Sequence, residues 1–132
     1  MSASVLVRER GLLTGRRILI VEDEYFLADD IARACLALGA EIEGPIGNVE
    51  DASAILTEFR TVDGAVLDIN LGAASIFPLA RALRSRSIPF VFTTGYDRSV
   101  IDPEFEGVPL WEKPLDVAAM TRGLSELMVQ QH

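Results

Sequence analysis

Short apolar runs alternate along this chain with longer stretches in which apolar positions recur every three or four residues. RRILIVED at 16 to 23 is apolar until it breaks into acids, the pattern of a buried parallel strand that ends at a working edge. EYFLADDIARACLALG follows, with Leu27, Ile31, Ala34 and Leu38 at helical spacing and Gly39 as a stop. A weaker strand, AEIEGPIG at 40 to 47, leads into VEDASAILTEFR, where Ala52, Ile55 or Leu56, and Phe59 share a helical face. GAVLD at 64 to 68 predicts a third strand, and SIFPLARALRSR at 75 to 86 a helix with Ile76, Leu79 or Ala80, and Leu83 inward. Pro78 is tolerable there only in the first turn. IPFVFTTG at 88 to 95 predicts the fourth strand and VPLW at 108 to 111 the fifth. LDVAAMTRGLSELMVQ closes with Val117, Met120, Leu124 and Leu127 on one face.

Strands separated by helices of this length require right-handed crossovers, which makes the sheet parallel and covers both its faces. The expected fold is a doubly wound, five-stranded α/β domain with the flavodoxin-like order 2-1-3-4-5. One crossover is irregular: DRSVIDPEFEG is cut by Pro103, so the segment between Gly95 and Pro109 should hold one or two helical turns at most, a shortened fourth helix.

Composition narrows the chemistry. Hydrophobic residues make up 49% of the 132, too many for a disordered chain, and the length fits one domain with its own core. Twenty acids against 12 Lys and Arg leave a formal charge of -8, which argues against a nucleic-acid or anionic-membrane surface. No apolar run reaches membrane-spanning length and no signal-peptide pattern opens the chain, so a cytoplasmic location is expected. One cysteine, Cys35, sits in an apolar helical stretch and reads as buried, and the one histidine, His132, lies at the end. Thiolate zinc sites and Cys-His or Ser-His catalysis therefore lack partners.

In a doubly wound sheet the site lies beyond the carboxyl ends of the strands. Those ends carry Glu22 and Asp23, then Asp68, then Thr93 and Thr94, and finally Lys113 just past the fifth strand. Any one of them alone reads as a helix cap or a solvated loop residue; their joint placement sets them apart. Converging carboxylates repel unless a proton or a metal intervenes, and oxygen ligands without histidine or thiolate favour a hard cation, with Mg2+ the expected one. With a lysine and a hydroxyl to meet phosphoryl oxygens, this layout suits phosphoryl transfer to Asp68 as an acyl phosphate.

With ILIVEDE at 18 to 24, VLDINL at 66 to 71, FTTGY at 92 to 96 and EKPL at 112 to 115, the sequence resembles the CheY-like receiver domains of two-component response regulators from about Arg16 to about Met128. The resemblance implies that Asp68 is the phosphoacceptor, Asp23 a direct Mg2+ ligand, and Glu22 a ligand through water. It further implies that Asn70 offers its main-chain carbonyl to the metal, Thr94 is the switch hydroxyl and Lys113 the family lysine. Thr94 is preferred over Thr93 because it precedes a small residue, Gly95. Two departures stand out: the aromatic switch position is Leu110, with Tyr96 as the candidate substitute, and the loop after Asp68 reads INLGAA without the proline common in the family. The FTTGY signature is similar to that of a subgroup of single-domain regulators.

The expected organisation is an N-terminal arm over 1–15, a receiver domain over 16–130, and no output domain. Val5, Leu6, Leu12 and Leu13 of the arm are available to pack on the body or on a partner. The implied partner is a histidine kinase or phosphotransfer protein, docking beside Tyr25, Phe26 and Leu27, with signalling through protein contacts or service as a phosphate relay or sink. A downstream protein target and a homodimer remain open. The alternatives are a non-phosphorylated receiver-like adaptor and a small Mg-dependent aspartyl-phosphate phosphohydrolase. Against the latter, the position of its second acid is held by Asn70.

Overall fold

The computed structural model describes residues 11–58, 61–72, 74–95 and 101–130. Five strands, β1 (Arg17–Val21), β2 (Glu41–Ile46), β3 (Gly64–Asp68), β4 (Phe90–Thr94) and β5 (Leu110–Glu112), form a parallel sheet in the order β2-β1-β3-β4-β5. This is the doubly wound order expected from the strand–helix alternation. β3 and β4 are buried throughout, which explains why they read as unbroken apolar runs. β2 lies at an edge, where Glu41 and Glu43 meet the Arg17 guanidinium at 2.9 and 3.3 Å and put charge on the open side.

Strand alternation divides the core in two. Ile18, Ile20, Val66 and Val91 pack against Ile31 and Cys35 of α1 (Tyr25–Ala37) and Met120 and Leu124 of α4 (Val117–Gln130). On the opposite face, Leu19, Val21, Leu67, Phe90 and Phe92 meet Ala52 and Leu56 of α2 (Val49–Thr57) and Leu79 and Leu83 of α3 (Phe77–Ser85). Pro78 falls in the first turn of α3, as its missing N–H requires. Asn48 caps α2 by accepting from the Asp51 N–H at 2.8 Å.

α1 is rotated from the phase its leucines suggest. Its fully buried residues are Ala28, Ile31, Ala32 and Cys35, while Leu27, Ala34 and Leu38 are half-buried at the margins. Small side chains let the helix sit close to the sheet, and the larger leucines then cover its flanks. Burial pushes the Cys35 thiol up to about 12, so it behaves as a small apolar side chain. In α4, Met128 takes a buried place and Val117 and Leu127 are half-buried. Leu13 packs in the α1–α4 core and its N–H donates to the Leu38 carbonyl at 2.8 Å, whereas Leu12 is exposed.

Between β4 and β5 the described residues form one 3-10 turn, Pro103–Phe105, in keeping with the weak helical pattern there. Phe105 is fully buried against Phe77, Phe90 and Phe92. At the other side of the sheet Gly44 has φ +103, and a Cβ there would come within 2.7 Å of the Ile20 carbonyl. That conformation accompanies a register shift between Leu19 and Val21, after which the Glu22 N–H donates to the Ile46 carbonyl at 2.9 Å. The shift holds the backbone of Glu22 at the mouth of the sheet.

Candidate functional site

Glu22, Asp68 and Thr93 each stand two residues beyond a core residue of one sheet face, Ile20, Val66 and Val91 respectively. Strand periodicity thus extends an apolar row into a polar one at the carboxyl ends. Lys113 joins it from just past β5, where its N–H donates to the Thr94 carbonyl at 2.8 Å. Its ammonium lies 3.1 Å from Asp68 Oδ2, 3.0 Å from Glu22 Oε1 and 3.4 Å from Glu24 Oε1. Asp68 is bonded on both oxygens: Oδ2 accepts from Lys113 Nζ at 3.1 Å and Oδ1 from the Asn70 N–H at 2.9 Å. Both Asp68 and Glu22 are buried, at 1% and 2% exposure, while Asp23 beside them is open to solvent.

This charge arrangement perturbs two groups. Burial pushes Glu22 up to about 7, and the neighbouring Asp68 carboxylate adds to it, against the lowering effect of the Glu24 N–H and of Lys113. Burial alone would lower the Lys113 ammonium, but its bonds to Glu22 and Asp68 outweigh that and hold it above the ordinary lysine range. Because Glu22 binds its proton more tightly folded than unfolded, metal-free protein should lose stability as pH rises from about 4.5 to about 7. Glu22→Gln removes that penalty. It should stabilise the metal-free protein at pH 8 by about 2 kcal/mol and have little effect at pH 4.5, as read by urea midpoints at the two pH values. An equal change at both would show that the ionisation of Glu22 is not the cause.

One oxygen of each of Glu22, Asp23 and Asp68 lies within 4.8 Å of the others. Glu22 Oε1 is buried and has no hydrogen-bond donor among the described residues; the Lys113 ammonium stands 3.0 Å from it and donates instead to Oε2 at 3.3 Å. An all-oxygen cluster with an unsatisfied buried acceptor and one solvent-facing carboxylate fits a divalent hard cation that keeps part of its water. These acids can coordinate a divalent metal.

Thr93 and Thr94 point to opposite sides of β4, and both are buried. The Thr94 hydroxyl donates to Asn70 Oδ1 at 2.8 Å, and the Gly95 N–H donates to the same oxygen at 2.9 Å. Sequence reasoning identified Asn70 by its main chain and did not identify this side-chain role. It also missed Glu24, whose N–H donates to Glu22 Oε2 at 3.1 Å, since that acid reads as an ordinary helix-start residue. Leu110 pairs with Phe92 in the sheet and is half-buried on the α2–α3 side of the core. Tyr96 lies outside the described residues. Tyr25 and Phe26 are 78% and 81% exposed, with their rings edge to face at 5.4 Å. Tyr25 borders a cleft of about 330 Å3 beside Glu22, Asp23 and Asp29.

A parallel 2-1-3-4-5 sheet with buried acids and a lysine at its carboxyl edge defines the receiver class. Among solved structures, SdrG from Sphingomonas melonis Fr1 is 36% identical, with a TM-score of 0.73 over 89% of this chain and 98% of that one. SdrG from Pseudomonas melonis Fr1 in its BeF3-activated conformation is 33% identical, with a TM-score of 0.68 over 85% and 95% of the two chains. The receiver domain of the hybrid histidine kinase CckA is 25% identical, with a TM-score of 0.68 over 85% and 98%. No protein-family model and no curated protein matches the sequence. The chain belongs to the CheY-like response-regulator receiver domains. Among the described residues no helix is long and apolar enough to cross a membrane.

Proposed function

We propose that Asp68 accepts a phosphoryl group from a phosphohistidine of a histidine kinase or phosphotransfer protein, and that the phosphorylated domain signals through protein contacts. The observation that carries this reading is the Asp68 carboxylate, buried at a strand end and bonded by the Lys113 ammonium and the Asn70 N–H within an acidic cluster. The BeF3-activated state of SdrG supports it, since BeF3 imitates a phosphoryl group on a carboxylate. The receiver of a hybrid histidine kinase supports a kinase as the class of partner. The exposed rings of Tyr25 and Phe26, at the rim of the acidic mouth, supply an apolar face for such a partner to cover.

In the forward step an Asp68 oxygen attacks phosphorus in line. A P–O bond forms as the P–N bond breaks, and the imidazole nitrogen keeps the electron pair. Lys113 orients the carboxylate and offsets the charge gathering on the phosphoryl oxygens. Thr94 supplies a hydroxyl to one of those oxygens. Asp23, Glu22, Asp68 and the main-chain carbonyl of Asn70 would hold Mg2+, which supplies charge neutralisation of the phosphoryl group when bound. Water later attacks phosphorus, the Asp68–phosphorus bond breaks, and inorganic phosphate leaves with the carboxylate restored.

Intact-protein mass spectrometry after incubation with phosphoramidate tests this directly. The expected result is an adduct of about 80 Da with Mg2+, absent in EDTA and absent in Asp68→Asn. An adduct that survives Asp68→Asn, or none on the wild type with any small donor or phosphorylated kinase, overturns the assignment.

A further inference from the structure

We propose that the Asn70 side chain is a resting-state latch on Thr94, and that phosphorylation of Asp68 proceeds to the activated state only as this latch opens. The inference rests on Asp68 being the phosphoacceptor. A backbone N–H can only donate, so the atom of Asn70 facing the Gly95 N–H at 2.9 Å must be its carbonyl oxygen. The same oxygen takes the Thr94 hydroxyl at 2.8 Å. A hydroxyl owns one proton, and phosphoryl oxygens only accept. While Thr94 donates to Asn70 it has no proton for a phosphoryl group, so the two bonds exclude each other.

Asn70 is also tied to the acceptor, through its own N–H on Asp68 Oδ1 at 2.9 Å. One residue therefore touches Asp68 with its main chain and the end of β4 with its side chain, across 24 residues of sequence. Its side chain is half-buried and Thr94 fully buried, so water competes weakly for the hydroxyl in the resting state. Opening the latch releases two donors from Asn70 at once, the Thr94 hydroxyl and the Gly95 N–H, at the point where the chain leaves β4. Asn70 is a positioning residue here: it acts on the reaction through Thr94.

A double-mutant cycle on the full chain tests this, with the apparent affinity for BeF3 in saturating Mg2+ as the readout. Asn70→Ala should tighten BeF3 binding about three- to tenfold, the equilibrium weight of one partly buried hydrogen bond lost from the resting state. In a Thr94→Val background only the Gly95 N–H remains on the Asn70 oxygen, so the same substitution should tighten BeF3 binding distinctly less than it does in the wild type. In wild-type protein the Gly95 amide proton should move upfield on BeF3 addition as its bond to Asn70 breaks. That measurement is independent of how well the variants fold. Equal effects in both backgrounds, weaker binding by Asn70→Ala, or an unmoved Gly95 amide each overturns the latch. Failure of wild-type protein to take BeF3 or phosphoramidate overturns the phosphoacceptor reading, and the latch with it, whereas uptake without these signatures removes the latch alone.

Discussion

Lys113→Met should lower the rate of phosphorylation by phosphoramidate at least about a hundredfold and make folding stability depend steeply on pH. Methionine keeps most of the apolar stem and deletes the charge. In the wild type the ammonium stands between Glu22 and Asp68, both almost fully buried, at 3.0 and 3.1 Å. Without it two carboxylates face each other in a poorly solvated mouth, a situation that costs about 3 to 5 kcal/mol when both are ionised. Glu22 already holds its proton up to about 7, so it can take one and remove most of that repulsion at low pH. The destabilisation should therefore be about 3 kcal/mol at pH 8 and much smaller at pH 5.5, measured by urea unfolding without metal. A loss of the same size at both pH values would mean that packing of the lysine stem, and not its charge, holds the site. Saturating divalent cation should recover much of the stability lost at pH 8, since it supplies positive charge to the same acids.

Phe105→Ala should cost about 3 to 5 kcal/mol, among the largest single-residue losses available in this core. Its ring is fully buried, stacks on Phe77 at 5.5 Å, and meets Phe92 and Phe90 edge-on at 5.6 and 6.1 Å. Arg84 covers it with a guanidinium 4.5 Å from the ring centroid and donates to the Glu104 carbonyl at 3.0 Å. Arg81 adds ion pairs to Glu104 and, at 3.3 Å, to Asp102. These contacts fasten the 3-10 turn to α3, so truncation should also speed amide exchange at residues 101–109 beyond its effect on β1 and β3. Phe105→Leu, which refills most of the volume, should recover more than half of the loss. A loss below about 1 kcal/mol for the alanine variant would show that the turn is not anchored through this ring.

Phe105 also shows where sequence reading stopped. It stands between Glu104 and Glu106 after a proline, with no periodic neighbours, so nothing local marks it as core. The three phenylalanines it joins come from α3 and β4, and the pocket exists only once those elements pack. Leu110 reads as a missing aromatic by position on β5, while the residue paired with it across the sheet is itself aromatic, Phe92. The centre of the buried face of α1 is hidden in the sequence for a related reason. Leucines carry the hydrophobic signal, but alanine and cysteine carry the close approach to the sheet. Asn70 was assigned by its main chain, and its amide bonds partners 24 and 25 residues away that no spacing rule connects.

What the sequence determined by itself was the order of strands and helices, the parallel sheet, and the acids, threonines and lysine at its carboxyl edge. Those features follow from periods of 2 and 3.6 residues and from where apolar runs end, both local properties of the chain. The tertiary structure alone decided which oxygen each donor meets: Lys113 on Asp68 and Glu22, and Thr94 and Gly95 on Asn70. Such pairings depend on ångström separations between strand ends far apart in sequence, and on burial that makes each unpaired group costly.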